Sequence, residues 1–324
     1  MVTVLKAFRW KNLSIIALII ICLKYFVFES LIKNGNYNQF ESGFSFLETV
    51  LLILSIALIA AGGYVINDIN DIESDRINKT DESLLMDYLS EKKALILYGF
   101  LTISGIAIGF YIATSYHLYQ LAFFHLLSSA LLWMYATYFK SSVLIGNLII
   151  SLLSAFVPLC YFCFEAYSYI FIYGNIFQEM FHSYFYEGPL LNLWWYTLTL
   201  AIFAFSFTLI REIVKDLEDL EGDKFLKGKT LPLAIGSSNT LWIVRFLIIS
   251  VLLLLIYIYY QELQFSPFNH GAFQLYFYGT LILPTLMLLF ESFKKEVNYH
   301  KSSSLLKVIM LFGVLSTSVF YLLH

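Results

Sequence analysis

Residues 44–75 read FSFLETVLLILSIALIAAGGYVINDINDIESD, and this stretch sets out both the architecture and the chemistry of the chain. Up to residue 66 it carries one charge, Glu48. A hydrocarbon layer about 30 Å thick is crossed by about 20 apolar residues at a rise of about 1.5 Å each, so the run is long enough to span a membrane. It lacks the polar–apolar alternation of a barrel strand. Backbone groups in lipid must be bonded within their own segment, which leaves an α-helix. The end of the stretch changes character, with Asn67, Asp68, Asp71 and Asp75 following in close succession.

Working outward, comparable apolar runs fall at 12–32, 93–114, 118–138, 143–164, 190–210, 238–260, 273–291 and 303–323. With 44–66 they make nine. The 324 residues are 59% hydrophobic and only 13% charged, about half the charged content of a soluble domain, and too apolar for a disordered chain. A net charge of -3, from 20 basic against 23 acidic residues, gives no electrostatic footprint for nucleic acid. Three cysteines make no disulfide framework. The first run is longer than the apolar core of a signal peptide and no small-residue cleavage pattern follows it, so it reads as a helix. The expectation is an all-α polytopic membrane protein, a nine-transmembrane-helix bundle forming one domain over residues 1–324, with two aspartate-rich cytoplasmic loops.

The basic residues give the orientation. Eighteen of the twenty precede helix 1 or lie in and around the connections between helices 2 and 3, 4 and 5, 6 and 7, and 8 and 9; only Lys24 and Lys33 fall elsewhere. Basic residues in short loops stay cytoplasmic, which puts the N-terminus and both acidic loops inside. No organellar transit signature precedes helix 1, and a prokaryotic plasma membrane is the expected location. The segment from Glu165 to Gly188 is rich in Tyr and Phe without Lys or Arg, and reads as an external interfacial loop or a short helix lying on the membrane.

Six of the eight Asp residues sit in two clusters, Asp68, Asp71, Asp75 and Asp216, Asp219, Asp223, both spaced Asp-x2-Asp-x3-Asp. On a helix that spacing puts three carboxylates on one face. Neighbours there repel by about 3 kcal/mol per pair at an effective dielectric near 20, so a cation is expected to offset them. Hard oxygens in such numbers suit Mg²⁺, which keeps several waters and completes its shell with substrate phosphate oxygens. Two such faces on one membrane side could hold a diphosphate through shared metal ions. Solvated loop carboxylates are the plain alternative, and suit isolated Asp81 and Asp87 better than two clusters of matching spacing. Arg211, Lys215 and Lys224 interleave with the second cluster, where they either support the helix by i,i+4 pairing or bind diphosphate.

With these motifs in view, the chain resembles the UbiA superfamily of intramembrane prenyltransferases. Asn67, Asp68, Asp71 and Asp75 match its first motif; Asp216, Asp219, Gly222 and Asp223 match the second. Arg9 and Asn12 resemble a basic-plus-Asn signature before helix 1, and Tyr135, Lys140, Gly146 and Asn147 a stretch between helices 4 and 5. The run from Arg211 to Asp223, continuing to Thr230-Leu-Pro, resembles the digeranylgeranylglyceryl phosphate synthase branch, whereas aromatic-acceptor members often show Tyr at position 211. After Lys79 the sequence continues Thr80-Asp81-Glu82 where the family usually has Pro and a further Arg.

The resemblance implies an allylic prenyl diphosphate donor bound through two Mg²⁺ ions, whose diphosphate departs to leave an allylic cation. Asn67, Asp68, Asp71 and Asp75 would serve one ion and Asp216, Asp219 and Asp223 the other. Asp71, Asp219 and Lys215 are the expected catalytic residues, and Arg9, Asn12, Arg76, Lys79, Lys140, Arg211, Lys215 and Lys224 the expected diphosphate-binding ones. The acceptor would be a lipid such as geranylgeranylglyceryl phosphate, or else an aromatic quinone precursor, with membrane lipids around the bundle. A transporter or a silent lipid-binding relative are readings from other classes; acids clustered at one membrane face beside basic residues fit the first of these poorly.

Of the remaining motifs, Cys160 and Cys163 lie in an apolar run without further ligands and read as structural. His125 reads as a hydrogen-bonded interior residue. Pro158 and Pro284 are expected to kink their helices.

Overall fold

The computed structural model of the chain describes residues 9–34, 41–72, 88–177, 189–225, 228–265 and 270–323. Among them there is no strand, and nine helices are long and apolar enough to cross a membrane. These are α1 Trp10–Lys33, α2 Phe46–Asn70, α3 Glu91–Ser115, α4 Tyr119–Phe139, α5 Ile145–Phe177, α6 Pro189–Glu218, α7 Ser237–Phe265, α8 Gly271–Ser292 and α9 Tyr299–Leu323. Two short helices, Leu220–Phe225 and Leu231–Ile235, connect α6 to α7.

Local chemistry sets the ends. Ser45 Oγ accepts from the Glu48 N–H while Glu48 Oε2 accepts from the Ser45 N–H, a reciprocal cap that starts α2. Three helices contain a π-helical turn, at Cys22–Phe28, Tyr135–Phe139 and Tyr278–Ile282. Pro284 follows the last of these, where its missing N–H falls in the disturbed turn, whereas Pro158 sits inside an uninterrupted α5.

The helices divide between two compact units. The first holds α1 to α4 with the later part of α5 and the start of α6. Here α2 and α3 pack closely because small residues line the contact. Ser55 Oγ donates to the Gly105 carbonyl at 2.6 Å, and a Cβ on Gly105 would lie 2.8 Å from the Ser55 carbonyl oxygen. The second unit holds the start of α5, the rest of α6 and α7 to α9. There Arg245 Nη2 donates to the Ser292 carbonyl at 2.6 Å, tying α7 to the end of α8, and Tyr276 OH donates to the Phe312 carbonyl, tying α8 to α9.

The structure corrects the sequence reading in three places. Residues 165–177 are the continuation of α5 rather than an external loop. Glu165 is buried there by partners distant in sequence. Lys24 lies 3.7 Å from its Oε2 and Tyr161 OH donates to the same oxygen, while Ser42 Oγ and the Phe44 N–H donate to Oε1. Lys24 also donates to Ser42 Oγ and the Phe44 carbonyl, so α1, α5 and the entry to α2 close on one polar knot.

Second, three of the acidic residues lie on helices or their ends: Asp68 is within α2, Asp71 is its C-cap and Asp216 is within α6, while Asp219 falls in the break after α6. Third, His125 is interior, but among the described residues neither ring nitrogen has a well-formed hydrogen-bond partner. Its imidazole fills the space left by Gly109, where a Cβ would meet the ring at 2.5 Å, and it packs edge-on against Phe164. Cys160 is buried and both thiols of the pair are free, as a structural role requires.

Candidate active site

In the first unit, the C-terminal turn of α2 is the organising element. Asp68 and Asp71 are three residues apart on a helix, which brings their side chains to one face. Arg9 reaches Asp68 from just before α1, with Nη2 3.2 Å from Oδ1, and its guanidinium lies over the Tyr64 ring at 4.9 Å. The Arg9 backbone is left-handed, at φ 48°, a conformation uncommon for a residue other than glycine. Burial pulls the Arg9 pKa down, but Asp68, Tyr64, Asp71 and Tyr135 outweigh it and hold the guanidinium charged. Asn12 follows Arg9 within the first turn of α1, and its backbone N–H donates to the Arg9 carbonyl.

Asp71 is buried, and both of its bonded partners use one oxygen. Asn67 Nδ2 donates to Oδ2 at 2.6 Å and Lys140, directly after the π-helical turn of α4, pairs with the same atom. Oδ1 accepts from neither. Asn70 Nδ2 donates to the Ala136 carbonyl and so fixes the end of α2 against the turn that delivers Lys140. Asn67, Asp68, Asp71, Arg9 and Lys140 thus form one cluster; Asp75, Arg76 and Lys79 lie outside the described residues.

In the second unit the expected helical face persists across the end of α6. The Asp219 N–H donates to the Lys215 carbonyl and the Asp223 N–H to the Asp219 carbonyl, so the i,i+4 register continues through the break at Asp219. Asn147, in the first turn of α5, donates from Nδ2 to Asp216 Oδ2 at 2.7 Å, and the Lys229 N–H donates to the Ser141 carbonyl. These bonds hold the 141–147 segment against the motif. Arg211 Nη1 pairs with Glu212 Oε1 at 2.5 Å, and Arg211 Nε is buried without a partner among the described residues. Lys215 is half-buried and Lys224 exposed. His300 Nδ1 lies 3.0 Å from Glu218 Oε1 and pins the start of α9 beside the motif.

Two neighbours of the site escaped the sequence reading, and so did the partner of a third. Tyr64 stands one helical turn before Asp68, a spacing visible in the sequence. Glu212 was hidden by its adjacency to Arg211. Asn147 stood out as part of a motif, but its partner Asp216 is 69 positions away.

The donor set fits Mg²⁺. It offers carboxylate and amide oxygens without thiolate or imidazole, and among the described residues no three His, Cys, Asp or Glu side chains are gathered into a closed cage. An ion held by one or two carboxylates with room for water and phosphate is the usual Mg²⁺ arrangement.

The UbiA prenyltransferase family profile matches residues 39–314, most of the chain. The chain belongs to the UbiA prenyltransferase family. It is therefore a prenyltransferase and an integral membrane protein. A digeranylgeranylglyceryl phosphate synthase of Sulfolobus acidocaldarius is 33% identical over 263 residues, covering 80% of each chain. Among UbiA-family structures, one of digeranylgeranylglyceryl phosphate synthase aligns over 98% of this chain and 97% of that one, with a TM-score of 0.63 and 23% identity. A UbiA homolog from Archaeoglobus fulgidus bound to DMAPP and Mg²⁺ aligns over 98% of this chain and 99% of that one, at a TM-score of 0.56 and 16% identity.

Proposed function

We propose that this protein transfers a geranylgeranyl group from geranylgeranyl diphosphate to the free hydroxyl of geranylgeranylglyceryl phosphate, releasing diphosphate. Residues 1–324 act as one domain, with the N-terminus and both acidic motifs on the cytoplasmic side, as the basic residues argue. The observation that carries this reading is the 33% identity over four-fifths of the chain to a digeranylgeranylglyceryl phosphate synthase. Arg211, where aromatic-acceptor members often carry Tyr, supports a phosphate-bearing acceptor.

Asn67, Asp68, Asp71 and Asp75 hold one Mg²⁺ ion, and Asp216, Asp219 and Asp223 the second. Bound there, Mg²⁺ acts as a Lewis acid on the departing diphosphate. Asn67 and Lys140 orient Asp71 through Oδ2, and its Oδ1 would be the atom to take up the ion. Arg9, Asn12, Arg76, Lys79, Lys140, Lys215 and Lys224 bind and neutralise the diphosphate; Arg9 is suited to bidentate contacts. Arg211 joins them at the diphosphate. The apolar interior holds the isoprenoid chains and keeps water from the allylic cation.

The test is pyrophosphate release from geranylgeranyl diphosphate by the purified protein, with and without Mg²⁺ and with and without geranylgeranylglyceryl phosphate. Turnover that requires both, and is lost in Asp71→Ala and Asp219→Ala, is the expected result. Transfer only to an aromatic ring such as 4-hydroxybenzoate would overturn the acceptor assignment, and no release with any allylic donor would overturn the activity.

A further inference from the structure

A half-buried guanidinium lies at the edge of the exposed face of α7, where that helix meets the end of α8, with no carboxylate paired to it among the described residues. Arg245 is the ninth residue of that helix, about 12 Å along its axis from Ser237. Trp242, Phe246 and Ile249, three before it and one and four after, are all exposed. In a membrane-spanning helix, exposed apolar residues at this spacing mark the face turned to lipid. A charge there is costly and calls for a counter-charge. Arg245 has none among the described residues. Of its five donors, Nη2 bonds the Ser292 carbonyl, while Nε is buried without a partner among the described residues.

The surroundings hold the guanidinium as an anion receptor. Phe293 and Trp242 lie over it at 4.2 and 4.8 Å, with their rings set at 84° to each other. This corner fixes the plane of the guanidinium, and the bond to Ser292 fixes its rotation. The chain then turns through Lys294, Lys295 and Glu296, all exposed. Lys294 and Lys301 share Glu291, at 2.7 and 3.7 Å, and Lys295 forms no ion pair among the described residues. Four cations, Arg245, Lys294, Lys295 and Lys301, therefore stand against two carboxylates, Glu291 and Glu296, along this part of the second unit, where Phe290 is also exposed.

We propose that Arg245 and Lys295, with Trp242 and Phe293, form a binding site for the headgroup phosphate of an anionic membrane lipid. Charge complementarity selects the occupant. A lipid phosphate lies at the depth where α8 ends, its acyl chains run along the exposed face of α7, and net negative charge matches the surplus cation. The proposal does not depend on the activity proposed above.

Native mass spectrometry of the full-length protein, released from nanodiscs of phosphatidylcholine mixed with phosphatidylglycerol, reads retained lipid directly. Short-chain phosphatidylglycerol titrated into the detergent-solubilised protein gives its affinity. The expected result is preferential retention of phosphatidylglycerol by the unaltered protein, with binding about fivefold weaker in Arg245→Ala. Lys295→Ala, which leaves the bond to Ser292 intact, shifts it the same way and decides the matter if Arg245→Ala does not fold. Equal retention of the two lipids, or unchanged affinity in Lys295→Ala and in folded Arg245→Ala, would overturn the proposal. So would displacement by inorganic phosphate as effective as by short-chain phosphatidylglycerol, since the site would then be one for free phosphate.

Discussion

The first unit contains two buried clusters of opposite charges, and they are built differently. The knot of Lys24 and Glu165 joins α1, α5 and the entry to α2, with the two residues 2% and 0% exposed. Both Glu165 oxygens accept hydrogen bonds, from Ser42, Phe44 and Tyr161, and Lys24 has its own two acceptors. The cluster at the end of α2 is looser. Asp68 and Arg9 keep partial exposure, and the two donors to Asp71 crowd onto one oxygen. A cluster whose hydrogen-bonding capacity is filled holds helices together, whereas one with an oxygen that no described residue bonds can take up a cation. Charge and burial are common to both, and satisfaction separates them.

Removing the spare oxygen should have the largest effect. Asp71→Ala is expected to lower kcat about 10³-fold or more, the scale on which charge stabilisation of a leaving group is lost, with a thermal midpoint close to that of the unaltered protein. Glu165→Ala should do the reverse. Leaving Lys24 buried and unpaired costs about 3–5 kcal/mol, seen as a large fall in the midpoint, while Mg²⁺ dependence is retained in the protein that stays folded. Lys24→Met combined with Glu165→Leu should recover much of that loss.

A smaller effect falls on Asn147→Ala, which removes the bond to Asp216. A hydrogen bond to a charged group contributes about 1.5–3 kcal/mol, so kcat should fall roughly 10- to 100-fold and the Mg²⁺ requirement should rise; Asn147→Asp should not restore it. Gly105→Ala is the mildest change. The extra methyl meets the Ser55 carbonyl and should cost about 1–3 kcal/mol of stability, with little change in the rate of surviving enzyme.

The contrast also explains what could be read without coordinates. The number of spanning helices and most of their starts follow from run length against membrane thickness, a one-dimensional criterion. The acidic motifs were equally visible, because their spacing is local. Lys24 and Glu165 were not paired by the sequence, since 141 positions separate them and nothing local announces a contact. The same blindness ended α5 too early, as an isolated glutamate in an apolar run reads as the edge of the membrane until its partner is known. Asn147 and Tyr64 show the boundary between the two cases. Tyr64 precedes Asp68 by one turn and was within reach of spacing alone, whereas the role of Asn147 required the α5 start to be brought to α6. That Asp68 and Asp216 lie inside helices rather than loops follows from α2 and α6 continuing past their apolar runs, which hydropathy cannot detect.

The most direct measurement is Mg²⁺-dependent binding of geranylgeranyl diphosphate, followed by calorimetry on the unaltered protein, Asp71→Ala and Glu165→Gln. Binding that requires Mg²⁺ in the unaltered protein, disappears in Asp71→Ala and persists in a destabilised Glu165→Gln is the predicted result. Asp71→Ala binding the donor with unchanged Mg²⁺ dependence would contradict the assignment of the α2 cluster as the metal and diphosphate site.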